Sequence, residues 1–580
     1  MKNKGFVLLG VLSSLILTSC RISFLKTKKM EMNVTSLFNG EVNNDRTISY
    51  QVLEGQELLP YFTINSYLSL QEPYLDANFK FDISKEGSDT SVVVKPKKGG
   101  ETYFAASISP SNQMLYENGD YSSLFSFSTD YSKSSLTLYS QTDSRIAVEP
   151  VTIREFTFSN MGFFTFKENN EVYYPLSLLE NIFAPYSGVH HFYNYSRLVQ
   201  YSSYEELTDT AYSVDGETIT AFKEMNKYMV NNSNVMPLYL REDRLASFLF
   251  TLENQYGLKY TRKISSMRRY LKEQPFYEDF LSESNLKRNE AYAKTFALLD
   301  DGHTSYSDHK DFPYKEGEFN PYGSHMQRIL TVRQMLSNQR PASLAPGGVY
   351  YSSDNKLAFF TFDNFVFAEN AYEEDGKTLK EDLSNYNSEN YDTYFYFIKC
   401  LNEIKEKGGV EDVVIDISTN GGGVIGIMMK LLTLLNKYNY SYVYMSSDVT
   451  DLVQEAVTRV DSNMDGNFDE KDIFGNEFNI HILTSEFSFS CGNAFPFYAK
   501  KNGIASIIGQ KSGGGECAVS EAYLPSGEHY RHSSSTHIGW CKDRIFEGDE
   551  QGVTPDLVIE YDDYYNLDRL QALIKESSNA

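Results

Sequence analysis

Ser490 stands between a predicted strand and a predicted helix, a position at which a serine hydroxyl can remain accessible. Residues Phe478–Thr484 largely alternate apolar and polar side chains, which is typical of a strand. The apolar run that follows Ser490 and ends near Lys501 predicts a helix that begins at or just after this serine. The unpaired N–H groups of a first helical turn can bind an oxyanion. Ser490 is therefore a candidate nucleophile, and the alternative is that it only caps the helix.

A run of three glycines, Gly421–Gly423, follows the apolar segment Val410–Ser418, which reads as a buried parallel strand. Glycines let the backbone approach a ligand closely and direct N–H groups at it, and the helix predicted from Val424 adds a favourable dipole for an anion. A phosphate-binding loop is excluded because the glycine and lysine spacing of such loops is absent. The alternative is a tight turn without a ligand.

A general base and an acid would complete such a site. His303 follows Gly302 on a turn after a predicted helix, and imidazole is the side chain that best accepts a proton near neutral pH. His529, His532 and His537 are competing bases. The acidic stretch that begins at Asp549 could orient an imidazole, as the third member of a catalytic triad does, or could be a solvated loop.

Five motifs, in this order along the chain, resemble the C-terminal processing (tail-specific) peptidases and their tricorn-core relatives. They cover roughly Tyr174 to the C-terminus, and they are Asp301–Thr304, Val414–Gly423, Phe489–Asn493, Ile508–Gly515 and Gly552–Asp556. The resemblance implies a serine peptidase with a crotonase-like α/β core. It also implies that catalysis requires no cofactor, and that the substrate is a peptide or an unfolded protein.

The family has a Ser–Lys design and a Ser–His design, and the resemblance favours the second. The lysine of the first design is absent, because its place reads Gly513–Gly515. Ser490 would then be the nucleophile and His303 its base. The N–H groups of Gly422 and Cys491 would form the oxyanion hole, and the orienting acid would be Asp549, with Glu550 and Glu547 as close rivals.

Two departures count against the family match, and the first of them, together with the large aromatic β-rich region, favours an alternative function. Asn493 stands where many relatives carry glutamate, and no PDZ module is recognisable in the sequence. The alternative is a surface-binding lipoprotein whose peptidase core is catalytically degenerate. A crotonase-like hydrolase of thioesters is a third reading, and the lack of a basic patch near the glycine loops counts against it.

The N-terminus predicts secretion and a lipid anchor. Residues 1–19 have the charged, apolar and small-residue regions of a signal peptide. The ending Leu17–Cys20 resembles a bacterial lipoprotein signal, which implies cleavage before Cys20, lipid attachment to it, and a location on the extracytoplasmic face of the cell membrane. The alternatives are a signal anchor, or a cleaved signal followed by an incidental cysteine.

Composition and local patterns predict a multidomain protein. The 580-residue chain carries a net charge of -25, which argues against nucleic-acid binding. The four cysteines after Cys20 favour free thiols over a disulfide. The predicted organisation is a tether over 20–33, a β-rich domain over 34–167, a helical part of the peptidase unit over 174–340 that carries His303, and an α/β core over 349–580.

A separate acidic stretch between two predicted strands has the spacing of a calcium loop of the EF-hand or dockerin type. A glycine stands at its sixth position, and an aspartate replaces the usual glutamate at its twelfth. The alternative is an acidic hairpin tip. The candidate ligands are Asp461, Asn463, Asp465, Asn467, Asp469 and Asp472.

Overall fold

The structure is a computed structural model, and it describes most of the chain after residue 25. The predicted signal peptide and Cys20 lie outside the described residues. None of the helices in this described part is both long and apolar enough to cross a membrane. The described residues are 26–38, 41–75, 79–86, 91–98, 101–102, 105–109, 113–117, 138–148, 154–195, 197–202, 211–214, 217–220, 235–306, 320–448 and 452–578.

The described part before residue 235 is rich in strands, and four of them, between residues 190 and 220, lie in the part that the sequence predicts to be helical. These strands are β1 (Thr27–Phe38), β2 (Glu41–Leu53), β3 (Gln56–Phe62), β4 (Phe79–Glu86), β5 (Ser91–Lys98), β6 (Glu101–Thr102), β7 (Ala105–Ser109), β8 (Gln113–Glu117), β9 (Ser140–Val148), β10 (Arg154–Thr157), β11 (Phe166–Glu168), β12 (Glu171–Pro175), β13 (His190–Tyr193), β14 (Arg197–Tyr201), β15 (Ala211–Val214) and β16 (Glu217–Thr220).

The N-terminal strands form one seven-stranded sheet, in the order β11-β12-β3-β2-β1-β14-β13, one six-stranded sheet over β4–β8 and β10, and the β15–β16 pair. Two boundaries differ from the prediction. The strand β1 begins inside the predicted tether, because Met32 and Val34 alternate with exposed residues and bury one face. The sheet also extends past residue 167, because β14 pairs in parallel with β1. Such long-range pairing leaves little local pattern in the sequence.

The described helices become more frequent after residue 174, although the first two lie before it, and they cover the sheets. They are α1 (Ile64–Gln71), α2 (Phe158–Met161), α3 (Leu176–Ser187), α4 (Leu238–Asn254), α5 (Met267–Lys272), α6 (Asn285–Leu299), α7 (Ser324–Gln339), α8 (Thr393–Lys407), α9 (Ile425–Leu434), α10 (Cys491–Lys501) and α11 (Leu567–Ser578). The charged stretch Lys259–Arg288, which the sequence predicts to be helical, contains only short helical turns, α5 and the start of α6.

The strands of the C-terminal half form two further sheets. They are β17 (Ser305–Tyr306), β18 (Tyr350–Tyr351), β19 (Leu357–Thr361), β20 (Asp412–Asp416), β21 (Ser441–Ser447), β22 (Val453–Val460), β23 (Asn479–Thr484), β24 (Ser506–Gly509), β25 (Cys517–Tyr523), β26 (His529–Lys542), β27 (Ile545–Gly548) and β28 (Leu557–Val558).

The first of these sheets has the order β18-β19-β20-β23-β24-β28 and is parallel from β19 onwards. The residues of β19 and β20 are buried, as expected for a parallel sheet covered on both faces. The carboxyl ends of parallel strands meet at one edge. The loops after β20, β23 and β24 therefore lie together, and these loops carry Gly421–Gly423, Ser490 and Gly513–Gly515.

The second sheet has the order β17-β26-β21-β22-β9, with β25 and β27 paired to β26. The strand β9 comes from the predicted β-rich domain and pairs with β22 over Ser140–Val148. The N-terminal region and the C-terminal half are therefore joined by a shared sheet, and the predicted boundary near residue 167 does not separate them.

Candidate active site

The backbone of Ser490 adopts an unusual conformation at the turn from β23 into α10. Its φ is 56° and its ψ is -128°, a region that L-residues rarely adopt and that costs about 1–3 kcal/mol. Its carbonyl accepts the N–H groups of Asn493 and Ala494, so the helix begins directly at this residue. The hydroxyl makes no capping hydrogen bond and the residue is half-buried. This conformation presents the hydroxyl outward instead of using it as a cap.

Two glycine-containing loops hold this turn from both sides. The N–H of Phe489 donates to the carbonyl of Asn420 at 3.2 Å, and the N–H of Ser490 donates to the carbonyl of Gly514 at 2.9 Å. The N–H of Gly513 donates to the carbonyl of Ser488 at 2.9 Å. These hydrogen bonds compensate for the strained backbone, and they fix the serine relative to both loops.

Gly422 lies directly against Ser490. A Cβ atom at Gly422 would lie 2.7 Å from the Ser490 Cβ and 3.0 Å from its Oγ. The N–H of Gly422 donates to the Asn420 side chain at 2.8 Å, so the donor expected for the oxyanion hole already has an acceptor. The N–H of Cys491, at the start of α10, is the other predicted donor and lies 3.1 Å from that same Cβ position. The two predicted donors thus stand beside the Ser490 hydroxyl.

His303 lies next to the residue that precedes the serine. The centroids of the His303 and Phe489 rings are 4.9 Å apart. Burial lowers the pKa of His303 to about 4, with Asp301 opposing this shift and Arg531 adding to it, so the imidazole is neutral at pH 7. Its Nδ1 is buried without a hydrogen-bond partner. Within the described residues, no hydrogen bond joins His303 to the Ser490 hydroxyl.

The turn that carries His303 is anchored to the second sheet. The Asp301 carboxylate accepts the His303 N–H at 3.0 Å and the Thr304 hydroxyl at 2.5 Å. The Thr304 hydroxyl in turn accepts the N–H of Ser533, on β26. Gly302 packs on the Phe489 ring, because a Cβ there would lie 2.6 Å from it. Asp301 is thus a positioning residue that the sequence motif contained but that sequence reasoning left without a role.

The candidate acids occupy different surroundings. Asp549 is 4% exposed with both carboxylate oxygens unpartnered, and burial together with Glu516 and Glu550 raises its pKa well above the usual range. Its charge acts on Cys491 and Tyr498, on the α10 side. Burial, followed by the charge of Asp301, raises the pKa of Glu550 to about 7. Neither acid hydrogen-bonds to His303 in the described residues. Glu547 instead pairs with Lys501 at 2.7 Å.

Asn493, the departure from the family pattern, connects the loops of the site. Its Oδ1 accepts the Ser512 hydroxyl at 2.6 Å, and its Nδ2 donates to the Asp549 carbonyl at 3.1 Å. The Ser512 hydroxyl also accepts the N–H of Val553 at 2.7 Å. An amide both donates and accepts here, which a carboxylate cannot do. The asparagine therefore has a structural role in joining these loops.

The neighbouring candidates for the nucleophile are less suited. The Cys491 thiol is within hydrogen-bonding distance (3.1 Å) of the Gly423 carbonyl, and burial with the charge of Asp549 raises its pKa to about 12. A thiol with that pKa is not a nucleophile near neutral pH. The Ser488 hydroxyl is buried and donates to the Ile417 carbonyl at 2.8 Å. All four described cysteines, including Cys541, are free.

The competing histidines have other partners. His529 stacks on Tyr523 with ring centroids 4.7 Å apart. The Nδ1 of His532 lies 3.0 Å from the Ser533 carbonyl, and burial lowers the pKa of this histidine. His537 lies between Glu516 and Asp448, which raise its pKa. None of the three has a hydrogen bond or ring contact with Ser490 or Phe489 in the described part of the chain.

Comparison with known proteins identifies a family domain within the chain. The model of peptidase family S41 matches residues 382–559. The chain therefore carries a family S41 peptidase domain over that segment. The matched segment contains Ser490, both glycine loops and the candidate acids, whereas His303 lies before it. The S41 domain thus receives its candidate base from the helical region, through the turn after α6.

Similarity to solved structures is weak. A Parabacteroides merdae protein assigned as a peptidase is 14% identical, with 58% of this chain and 96% of that chain covered and a TM-score of 0.38. Mature CPAF is 12% identical, with 58% and 97% covered and a TM-score of 0.35. The tricorn protease is 12% identical, with 94% and 64% covered and a TM-score of 0.34. No curated protein matches the chain.

The predicted calcium loop folds back on its first and last residues. The Asp461 carboxylate accepts the N–H groups of Asp465 and Gly466, and Gly466 has the positive φ of 82° that the turn at position six requires. Asp472 accepts the N–H groups of Asn463 and Asp469. Both end carboxylates are buried, and burial, together with the charge of Asp461, raises the pKa of Asp472.

The contact between Gly422 and Ser490 predicts that Gly422→Ala nearly abolishes activity. The new Cβ would overlap the serine, and φ at this position is +111°. Displacement of a reacting group by about 1 Å can cost about 10²-fold in rate. We expect at least that loss in the rate of labelling by a fluorophosphonate.

The matched control is Gly503→Ala, since Gly503 also has a positive φ but its Cβ would meet nothing within 4 Å. This variant places an alanine at a positive φ without a steric contact, and it should keep the wild-type labelling rate. Wild-type labelling of Gly422→Ala would contradict the assigned geometry.

Proposed function

We propose that the chain is a serine endopeptidase in which Ser490 attacks the peptide carbonyl and forms an acyl-enzyme. The observation that carries this proposal is the Ser490 backbone at φ 56°, which holds an uncapped hydroxyl beside the N–H of Cys491 and the backbone of Gly422. The arrangement is that of a nucleophile at a helix N-terminus, where the first-turn N–H groups can stabilise an oxyanion.

His303 would act as the general base. Its lowered pKa keeps the imidazole neutral at pH 7, so a nitrogen lone pair is available to take the Ser490 proton. The proton would then pass to the leaving amine. Catalytic hydrogen bonds are often long or absent without substrate and tighten in the substrate complex. The His303 ring contacts the ring of Phe489, the residue that precedes the serine, and this contact supports the assignment.

Glu550 is the better candidate for the orienting acid. Its carboxylate interacts with Asp301, which lies in the histidine turn, whereas the carboxylate of Asp549 interacts with Cys491 and Tyr498. One Glu550 oxygen accepts the N–H groups of Gly515 and Glu516 at 3.2 and 3.1 Å. The crotonase-like core that the resemblance implies is consistent with a parallel sheet whose carboxyl edge carries the site.

The oxyanion would be bound first by the N–H of Cys491. The N–H of Gly422 would become a second donor when it turns from the Asn420 side chain, with which it now makes a 2.8 Å hydrogen bond. Each such donor contributes about 3–4 kcal/mol to stabilisation of the transition state. Peptides and unfolded proteins are the proposed substrates.

Loss of either reacting group should remove peptidase activity without unfolding the protein. Ser490→Ala and His303→Ala should each lower kcat by about 10⁴-fold or more, because the remaining groups cannot transfer the proton or form the acyl-enzyme. Glu550→Gln should lower kcat more than Asp549→Asn does. Cleavage of an unfolded protein and fluorophosphonate labelling are the measurements.

The control is His325→Ala, a histidine on α7 outside the site, which should remain active. Full activity of Ser490→Ala or His303→Ala would refute the assignment. A folded wild-type chain that neither cleaves nor labels would favour the alternative, a lipoprotein that binds a partner with an inactive core.

We further propose that the peptidase is anchored to the extracytoplasmic face of the cell membrane by a lipid on Cys20. The signal-like residues 1–19 and the Leu17–Cys20 ending support this location. In a bacterial host that processes lipoproteins, Cys20→Ser should abolish incorporation of a fatty-acid label and release the chain from the membrane fraction. Cys541→Ser is the matched control and should stay anchored. Continued membrane association of Cys20→Ser would contradict the proposal.

We also propose that the loop Asp461–Asp472 binds a structural calcium ion. Its oxygen side chains suit a hard cation, and its two buried end carboxylates repel each other unless a cation or a proton lies between them. No catalytic step depends on this ion.

Calcium should therefore raise the thermal unfolding midpoint of the wild type and leave that of Asp465→Ala unchanged. Binding at a hundredfold excess over Kd stabilises the folded state by about 2.7 kcal/mol. Glu470→Gln is the control, because it removes a charge in the same loop outside the ligand positions. If millimolar calcium does not shift the unfolding midpoint of the wild type, the loop is an acidic turn that binds no calcium.

A further inference from the structure

A second cluster of reactive side chains lies in the sheet beside the active site. Glu516 immediately precedes β25, Cys517 opens that strand, and His537 lies opposite Cys517 on β26. Asp448 follows β21, the next strand of the sheet. Glu516, Cys517 and His537 are all at least nine-tenths buried, being 6%, 2% and 6% exposed. The proposed catalytic mechanism uses none of these four residues.

The donor atoms of this cluster converge on one point. The Nδ1 of His537 lies 2.8 Å from the Glu516 Oε1 and 3.7 Å from the Cys517 Sγ. The three donor atoms all lie within 4.8 Å of one another. The other ring nitrogen, Nε2, lies 2.9 Å from the Asp448 Oδ2. The Nδ1 edge of the imidazole thus meets a thiol and a carboxylate, and the Nε2 edge meets a second carboxylate.

Strand geometry alone does not produce this convergence. Residues directly opposite each other on paired strands share a face, which explains the contact between Cys517 and His537. Successive residues of a regular strand point to opposite faces, yet Glu516 and Cys517 both reach the same nitrogen of His537. Glu516 precedes the first residue of β25, so the alternation of a regular strand does not apply to it.

We propose that Glu516, Cys517 and His537 bind a zinc ion, with Asp448 orienting the imidazole. Thiolate, imidazole and carboxylate are the three ligand types of zinc, and a zinc-bound histidine commonly gives its other nitrogen to a carboxylate. Tetrahedral bonds of about 2.0–2.3 Å separate the nitrogen from the sulfur by about 3.6 Å and from the oxygen by about 3.4 Å. The first distance is already present, and the second needs an opening of about 0.6 Å.

The competing explanation is that Cys517 is a second nucleophile, and the burial of its thiol argues against this role. The Cys517 thiol is 2% exposed, and its burial raises the pKa to about 12. A peptide carbonyl could not reach this sulfur, whereas a bare cation occupies only the space between the three donors. Asp448 and Glu516 raise the pKa of His537, so zinc binding would release to solvent both the proton of the Cys517 thiol and the proton on the His537 Nδ1.

The site is connected to the active site through hydrogen bonds. The second oxygen of Glu516 accepts the N–H of Glu550 at 3.0 Å, and Glu550 holds the N–H groups of Gly515 and Glu516. The carbonyl of the adjacent Gly514 accepts the Ser490 N–H. A zinc ion on Glu516 would therefore lie beside the loop that holds the nucleophile.

Cobalt(II), a spectroscopic substitute for zinc, tests the proposal on the purified full chain. Cobalt should give a thiolate-to-metal charge-transfer absorption that saturates at one ion per chain and is displaced by zinc. Cys517→Ser should lose this absorption, whereas Cys541→Ser, which removes the more exposed thiol, should keep it. Asp448→Asn should keep the absorption with an affinity about 10–100-fold lower.

Absence of the charge-transfer absorption in the folded wild type would overturn the proposal, as would its persistence in Cys517→Ser. Cobalt on the acidic loop Asp461–Asp472 gives no thiolate absorption, so the two sites are distinguishable. Thermal unfolding shows whether Cys517→Ser folds. If it does not fold, the cobalt affinity of Asp448→Asn tests the proposal instead, and an affinity equal to that of the wild type would contradict the zinc site.

Discussion

The positive φ of Ser490 is the constraint on which the rest of the site depends. A serine in this conformation has a backbone cost of about 1–3 kcal/mol, and surrounding hydrogen bonds must hold it there. The carbonyls of Asn420 and Gly514 supply them from two different loops. Neither loop tolerates side chains at its closest approaches, since a Cβ at Gly514 would lie 2.1 Å from the Glu550 carbonyl. Gly422 packs against the strained residue itself, whereas Gly423 packs against Phe365 and Gly514 against Glu550.

The parallel sheet turns this local constraint into an assembled site. Strands β20, β23 and β24 end at the same edge, so their loops meet without long connections. The proposed base, His303, comes from elsewhere in the chain, on a turn between α6 and β26. The S41 match covers residues 382–559 and omits that turn. The strand β9 ties the N-terminal strands to the sheet that contains β26.

The sequence predicted those strands and helices whose formation depends on residues close together in the chain. The strand before Ser490, the helix after it, and the apolar segment Val410–Ser418 have clear local periodicity, and the structure contains the corresponding elements β23, α10 and β20. The sheet that joins β1 to β14 depends on a partner more than 150 residues away, whereas the start of β1 at Thr27 pairs with Leu53 on β2. No local pattern reports such pairing, and the domain boundaries were therefore placed too early or too late.

The surroundings of the individual side chains could not be predicted from the sequence either. The spacing of motifs indicated Asp549 and Glu550 together, and only the fold separates the acid beside Cys491 from the one beside the histidine turn. The role of Asn493 as a link between Ser512 and Asp549 depends on three loops meeting. The cluster of Glu516, Cys517 and His537 likewise arises from strand pairing, since its members are spread over 22 residues of sequence without a metal-ligand spacing.

A crystal structure of the fluorophosphonate adduct tests the central claim most directly. The account predicts phosphorus bonded to the Ser490 Oγ, the phosphoryl oxygen within about 3 Å of the Cys491 N–H, and a ring nitrogen of His303 within hydrogen-bonding reach of the adduct. An adduct on another residue, or a His303 imidazole that remains out of reach while a different base contacts the adduct, would contradict it.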